Sequence, residues 1–151
     1  MTRMLRIVAV ALIVMGSVAM PNQARGQSAA DSAAIRATAL DYIEGWYAGD
    51  AARMERALHP DLAKRIVGVD ERFKRSTLNH QSAMTLVQKT RAGGGKDTPV
   101  AEQRKEVRIL DIFGNTASVR IDASTWIDYL HVVKWNARWV IINVLWENRP
   151  Q

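Results

Sequence analysis

Asp128 is a carboxyl group set in a strongly apolar stretch of the chain. The neighbours of this residue in the sequence are large and apolar: Trp126, Ile127, Tyr129 and Leu130. Because burying a charged group costs free energy unless it is paired or hydrated, Asp128 needs an ionic partner or a water-filled pocket. The sequence leaves three settings open: a pocket site, an exposed strand face, or an ion pair with Arg120 or Lys134.

Tryptophan is the second informative residue type, because four of the five tryptophans fall in the last two predicted strands: Trp126, Trp135, Trp139 and Trp146. Strand alternation predicts that Trp126 shares a face with Asp128, whereas Trp146 shares one with Ile142 and Trp139 points the opposite way. A pocket with aromatic walls and a few polar groups is the usual form of a small-molecule site. Packing in the core or in a sheet-to-sheet dimer face is the alternative.

Histidine and cysteine give less evidence of a catalytic or metal-binding site. His59, His80 and His131 are scattered, and His131 lies at odd spacing from Asp128, which predicts opposite faces of one strand. His59 precedes Pro60, where capping or packing is its expected role. The chain has no cysteine, which excludes disulfides and thiolate chemistry. We therefore predict neither a metal nor a cofactor.

The first 26 residues have the organisation of an export signal. Arg3 and Arg6 precede an uncharged run over residues 7–20, and Ala24-Arg25-Gly26 is a cleavage pattern. We predict a signal peptide over residues 1–26, a domain over 27–151, and a periplasmic or secreted protein with no stable membrane span after cleavage. The formal charge is +6, and the predicted signal holds three arginines and no acid, so the remainder carries only +3. Nucleic acid is not a predicted partner.

These side chains must be positioned by an α+β domain, with helices first and antiparallel strands afterwards. A first helix is predicted from a cap at Asp31 or Ser32 to Gly49, and Asp50 caps a second that ends at His59-Pro60. A strand follows over 64–69, and a third helix runs from residue 79 or 82 to 91. The glycines at 93–95 read as a loop. A β-meander occupies 106–113, 116–124, 125–135 and 138–147, with a bulge or tight bend near 123–125.

Three segments together resemble one superfamily. They are residues 41–50 (DYIEGWYAGD), residues 57–61 (ALHPD), and residues 126–134 (WIDYLHVVK) with the strand after them. They are similar to the nuclear transport factor 2-like superfamily, and within it to the branch labelled "putative lumazine-binding". The resemblance implies a cone, in which three helices pack in a strongly curved mixed sheet with a pocket at the wide end, and a homodimer formed through the sheet.

The resemblance also implies site residues. Ketosteroid isomerases of this superfamily, which also contains polyketide cyclase-like proteins, pair a helix tyrosine with a strand aspartic acid as an oxyanion hole and add a carboxylate base. Tyr42 and Asp128 match the first two by position. An acid in an apolar cone can stay protonated and donate a hydrogen bond. The expected place of the base, residues 66–68, holds no carboxylate, and Asp70 is offset from it.

Three functions follow from these observations. The first is an exported module that binds an apolar or aromatic ligand in the cone through Tyr42, Trp126, Asp128 and Trp146. The second is a lyase or isomerase in which Tyr42 and Asp128 polarise a carbonyl, while Asp70 or His59 moves the proton. The third is a structural or dimerisation domain whose cone is filled by side chains. An open cavity separates the third function from the others, and a base in that cavity separates the second from the first.

Overall fold

The structure of the protein is a computed structural model that describes residues 23–150. Its helices are α1 (Gln23–Ala48), α2 (Ala51–Ala57) and α3 (Ala83–Arg91), with a single 3-10 turn at Val100–Glu102. Its strands are β1 (Leu58–Asp70), β2 (Arg75–Ser82), β3 (Glu106–Phe113), β4 (Thr116–Asp122), β5 (Trp126–Trp135) and β6 (Arg138–Asn148). Most of the predicted signal peptide, residues 1–22, lies outside the described residues, and the predicted cleavage point after Gly26 falls in the first turn of α1.

The helix ends follow local chemistry. Gly49 ends α1 with φ +64°, a left-handed backbone that glycine adopts without steric cost. The Asp50 side chain accepts from the backbone N–H of Arg53 to start α2, and Ser82 caps α3 through the backbone N–H of Thr85. The predicted cap at Asp31 is wrong because α1 begins earlier, and the Asp31 carboxylate instead accepts from Lys134 Nζ and Trp139 Nε1, each at 2.9 Å.

The six strands form one mixed sheet in the order β2-β1-β6-β5-β4-β3. β1 and β6 run parallel, and every other neighbouring pair is antiparallel. The α+β class, the three helices and the C-terminal meander are confirmed, including the tight bend between β4 and β5. The sequence did not predict β2 as a full strand, because this edge strand is polar and mostly exposed and so shows no apolar alternation. The predicted end of α2 at His59-Pro60 is also wrong, since α2 stops at Ala57 and β1 starts at once.

A bulge in β6 changes which tryptophans face inward. His131 pairs with Asn143 and Val132 with Ile141, so Ile142 is an extra residue with no partner in β5. Trp139 is therefore buried on the helix side before the bulge, and Trp146 lies on the same side after it, whereas Ile142 is exposed. The predicted pairing of Trp146 with Ile142 on one face is wrong, because the bulge shifts the alternation by one residue.

The core lies between the three helices and the inner face of the sheet. Its fully buried members include Ile35 and Ile43 of α1, Met54 of α2, and Ile121 and Leu130 of the sheet. Arg53 ties α2 to α1 by pairing with Asp41 at 2.8 Å and with Glu44. Among the described residues, no helix is long and apolar enough to cross a membrane.

Candidate functional site

Three secondary-structure elements bring one polar cluster into the apolar interior. Tyr42 comes from α1, Lys64 from β1, and Trp126 and Asp128 from β5. Asp128 is fully buried, and Tyr42 and Lys64 are 3% and 7% exposed. We call these four residues the buried cluster. Its members are separated by up to 86 positions in the chain, so only the fold places them together.

The hydrogen bonds of the buried cluster converge on Asp128. Lys64 Nζ donates to Asp128 Oδ1 at 2.6 Å and to the Tyr42 hydroxyl at 2.7 Å. The Tyr42 hydroxyl donates to Asp128 Oδ2 at 3.2 Å. Trp126 Nε1 donates to the same oxygen at 2.7 Å. Three of these four hydrogen bonds end on Asp128, which is the acceptor in each of them.

This arrangement changes the role expected of Asp128. A carboxylate that accepts three hydrogen bonds and pairs with an ammonium group is stabilised as an anion, which does not donate to a carbonyl. The expected ion pair with Arg120 or Lys134 is also wrong, because Arg120 pairs with Asp122 and Lys134 with Asp31. The partner is Lys64.

Tyr42 is held as a neutral phenol. Burial raises the pKa of the Tyr42 hydroxyl well above its ordinary value of 10.0, and the nearby Asp128 charge raises the pKa further. The hydroxyl accepts a hydrogen bond from Lys64 and donates one to Asp128. Its single hydrogen is therefore already engaged within the protein.

A cavity of about 330 Å³ lies beside the buried cluster, between the helices and the inner face of the sheet. Its walls are mainly aromatic and apolar, with several polar groups among them; the lining residues are Tyr42, Ile43, Trp46, Met54, Lys64, Gln81, Leu86, Lys89, Thr125, Trp126, Trp146 and Asn148. Of the four residues predicted to bind a ligand, Tyr42, Trp126 and Trp146 line the cavity, whereas Asp128 is not among the lining residues. None of these described lining residues is an acid or a histidine.

The other residues considered for proton transfer lie elsewhere. Asp70 ends β1, and its carboxylate caps the following turn by accepting from the backbone N–H groups of Arg72 and Phe73. His59 is buried against the Trp135 ring, with centroids 5.0 Å apart, beside a separate groove near the β5–β6 turn. Neither residue lines the cavity, so neither serves it as a base. The described residues contain no group of acids and histidines that could hold a metal ion.

Sequence reasoning missed Lys64. In β1 the alternation of Lys64, Ile66 and Gly68 against Arg65 and Val67 predicts two faces but does not say which is inside. The available signal was Asp128 itself, whose apolar neighbours demand a cation from another element. Lys64 Nζ also lies 4.9 Å from the centre of the Trp146 ring, a cation–π distance. This contact joins the ion pair to the cavity wall.

Comparisons with known proteins place the chain in a family. Residues 30–147 match the family described as "Putative lumazine-binding", and the chain belongs to that family. The resemblance seen in the sequence is therefore confirmed. No curated protein gives a significant match.

Solved structures share the fold. An NTF2-like protein with a cystatin-like fold from Novosphingobium aromaticivorans is 14% identical, with a TM-score of 0.62 over 88% of this chain and 92% of that one. NTF2-like proteins of unknown function from Methylobacillus flagellatus and Shewanella baltica are 20% and 22% identical, with TM-scores of 0.61 and 0.59. The former alignment covers 80% of this chain and 94% of the other, and the latter 82% and 97%. At such identities the likeness establishes the nuclear transport factor 2-like cone and nothing about activity.

Proposed function

We propose that this protein binds a small aromatic or apolar molecule in the cavity without transforming it chemically. The observation that carries the proposal is an open, aromatic-walled cavity of about 330 Å³ whose described lining residues include neither a carboxylate nor a histidine. Its volume lies at the lower end of the ~300–1,000 Å³ usual for ligand sites. A purely structural domain would have filled this space with side chains.

The polar groups beside the cavity support binding rather than proton transfer. The Lys64 ammonium donates to both Tyr42 and Asp128, and a protonated amine cannot accept a proton. The Tyr42 hydroxyl is bonded to Asp128 and would have to break that bond to polarise a substrate carbonyl. The two residues that would form the oxyanion hole implied by the ketosteroid isomerases are therefore hydrogen-bonded to each other.

The buried cluster instead gives the cavity a rigid wall. Trp126 is oriented through its N–H bond to Asp128, and Trp146 is held under the Lys64 cation. Aromatic rings fixed in this way lose little conformational freedom when a ligand stacks on them. The family description names lumazine, a planar bicyclic compound, and we extend from it only the class of planar aromatic ligands.

We further propose export and self-association. The signal pattern over residues 1–26 supports secretion or a periplasmic location. The outer face of the sheet supports a homodimer because it exposes apolar pairs of neighbours, Tyr129 with Leu145 and Val67 with Leu78. Exposed apolar side chains on neighbouring strands are typical of an interface between copies.

Native mass spectrometry of the full-length protein, expressed in and purified from its own host, tests these proposals together. We expect a mature chain beginning at Gln27, a dimer mass, and a small-molecule adduct that gentle unfolding releases. Trp126→Ala should abolish the adduct because it removes a wall of the cavity, whereas Trp135→Ala, an exposed tryptophan outside it, should not. Thermal melting followed by circular dichroism checks that both variants fold.

Each part of the experiment has its own contrary result. An adduct retained in Trp126→Ala and lost in Trp135→Ala would show that the ligand binds outside this cavity. A protein without any adduct, and with no affinity for added aromatic compounds, would overturn the binding function. An uncleaved chain or a monomer mass would overturn export or dimerisation alone.

A further inference from the structure

We infer that the ligand of the cavity is an acid: an aromatic or apolar body that carries a carboxylate. This inference rests on the proposed binding function and adds the charge of the ligand to it. It comes from the balance of charge and hydrogen-bond donors among the described lining residues, which differs from that of a neutral apolar pocket.

The cavity has an excess of positive charge. Lys64 and Lys89 line it, and no described lining residue carries a negative charge. The Lys64 charge is balanced by Asp128 at 2.6 Å. Lys89 has no carboxylate within ion-pair distance in the described part of the chain, and its Nζ donates to the neutral amide oxygen of Gln81 at 3.2 Å. Lys89, a solvent-exposed residue, is therefore a cation at the cavity that is available to pair with an anionic ligand.

Neutral donors are grouped with this cation. Gln81 stands opposite Lys64 across the β1–β2 pair, so both side chains lie on the same face of the sheet. With Oε1 occupied by Lys89, the Gln81 NH₂ group is left to donate to a ligand. Asn148 stands opposite Trp126 across β5 and β6 and supplies a second amide. The cavity lining therefore holds two neutral amide donors besides Lys89.

Trp146 supplies an independent observation. Its Nε1 is buried and has no hydrogen-bond partner among the described residues. An unpaired buried N–H is costly, and a ligand oxygen that accepted its hydrogen would remove that cost. Two carboxylate oxygens can accept several hydrogen bonds at once, whereas a hydroxyl or amine offers fewer acceptor sites.

Matched pairs of compounds isolate the effect of charge. We would titrate the signal-free protein calorimetrically with benzoate and benzyl alcohol, naphthoate and naphthylmethanol, and indole acetate and indole ethanol. The members of each pair present the same ring, and only one is an anion. We expect the anion of the best-fitting pair to bind at least about tenfold more tightly, which corresponds to about 1.4 kcal/mol. That preference should shrink as salt is added.

Variants of Lys89 identify the responsible cation. Lys89→Met should reduce the affinity for the anion to about that for the alcohol and leave the alcohol unchanged, while Lys89→Arg should retain the preference. Arg91→Met is the matched control, since it removes an equal charge from an exposed position on the same helix outside the cavity.

The contrary outcomes separate the two proposals. If the alcohol binds as tightly as the acid, or if Lys89→Met leaves their ratio unchanged, the acidic ligand is wrong and the binding function stands. If no member of any pair binds, both proposals are overturned.

Discussion

At the residue scale, the distinguishing feature of this protein is a fully buried carboxylate whose hydrogen-bonding capacity is satisfied from three directions. Lys64, Tyr42 and Trp126 all donate to Asp128. Buried ion pairs add little net stability compared with apolar packing, but removing one partner leaves an uncompensated charge. The cluster therefore contributes mainly by fixing the orientation of Trp126 and Trp146 at the cavity wall.

The first prediction concerns the removal of one charge from this cluster. Lys64→Met leaves the Asp128 carboxylate buried without its cation, and we expect the free energy of unfolding to fall by about 3–5 kcal/mol. The double variant Lys64→Met/Asp128→Asn should lose less than Lys64→Met alone, because no buried charge remains. Urea denaturation measures both.

Lys134→Met is the control for this prediction. It also removes an ammonium from an ion pair, but the Lys134 side chain is 28% exposed, so the loss should not exceed about 1 kcal/mol. Equal losses in Lys64→Met and Lys134→Met would show that the Lys64–Asp128 pair carries no special cost of burial.

At the element scale, the glycine loop after α3 supports the cavity. The backbone N–H of Gly95 donates to the carbonyl of Trp46, and Gly94, at φ +56°, approaches the same carbonyl. A Cβ at position 95 would lie 2.6 Å from Trp46 Nε1. Gly94 and Gly95 are thus closely packed against α1 at Trp46, a residue that also lines the cavity.

The second prediction tests this packing. Gly95→Ala should destabilise the fold by about 1–3 kcal/mol, because the methyl group forces Trp46 and the neighbouring Tyr47 to move. The same variant should weaken ligand binding, which calorimetry measures alongside urea denaturation.

Gly114→Asn serves as the comparison for the glycine variant. Position 114 has φ +57° and no atom within 4 Å of an added Cβ, and asparagine tolerates this backbone. We expect a change of at most about 0.5 kcal/mol. A loss in Gly95→Ala no greater than this would mean that the loop yields without disturbing α1.

At the scale of the whole molecule, one carboxylate holds the segment after β6 against the end of β4. Asp122 at the end of β4 is buried and accepts from Arg120 at 2.8 Å and from Arg149 at 2.7 Å. The Arg120 hydrogen bonds, followed by that of Arg149, lower the pKa of Asp122 from 3.8 to about 2. This network joins β4 to the segment that follows β6.

The third prediction follows from that pKa. Since the folded-state pKa lies below the unfolded value, the stabilisation is complete above about pH 4 and disappears as the pH falls through about 2. Because the arginines are partly exposed, we expect a loss of about 1–2 kcal/mol over this window. Asp122→Asn should be less stable at neutral pH and should show a correspondingly flatter profile in urea denaturation.

The control for the pH profile is Asp111→Asn, which removes an exposed carboxylate from β3 and should leave the profile parallel to that of the wild type. If Asp122→Asn is also parallel to the wild type between about pH 4 and pH 2, the Asp122 network does not control acid stability.

The class of fold can be predicted from the amino-acid sequence, because the relevant signals are local. Gly49 and Asp50 end one helix and start the next through backbone and side-chain geometry within a few residues. Alternation in β3 and the Gly114-Asn115 turn define the meander in the same way. The sequence also indicates that Asp128 needs a partner, because it is an acid among apolar residues. Trp126 follows from strand alternation, which places it on the face of Asp128, and Tyr42 follows from the family resemblance.

The identity of that partner and the chemistry open to the site depend on contacts between distant parts of the chain. Lys64 lies 64 positions from Asp128, and nothing in its own strand distinguishes it from Arg65. The extra residue at Ile142 brings Trp146 to the cavity by reversing the alternation of β6, and a bulge of this kind leaves no mark in hydrophobic periodicity. The pairing of distant charges and the register of strands depend on contacts between elements. Charge pairing and strand register can therefore be read only from the folded chain.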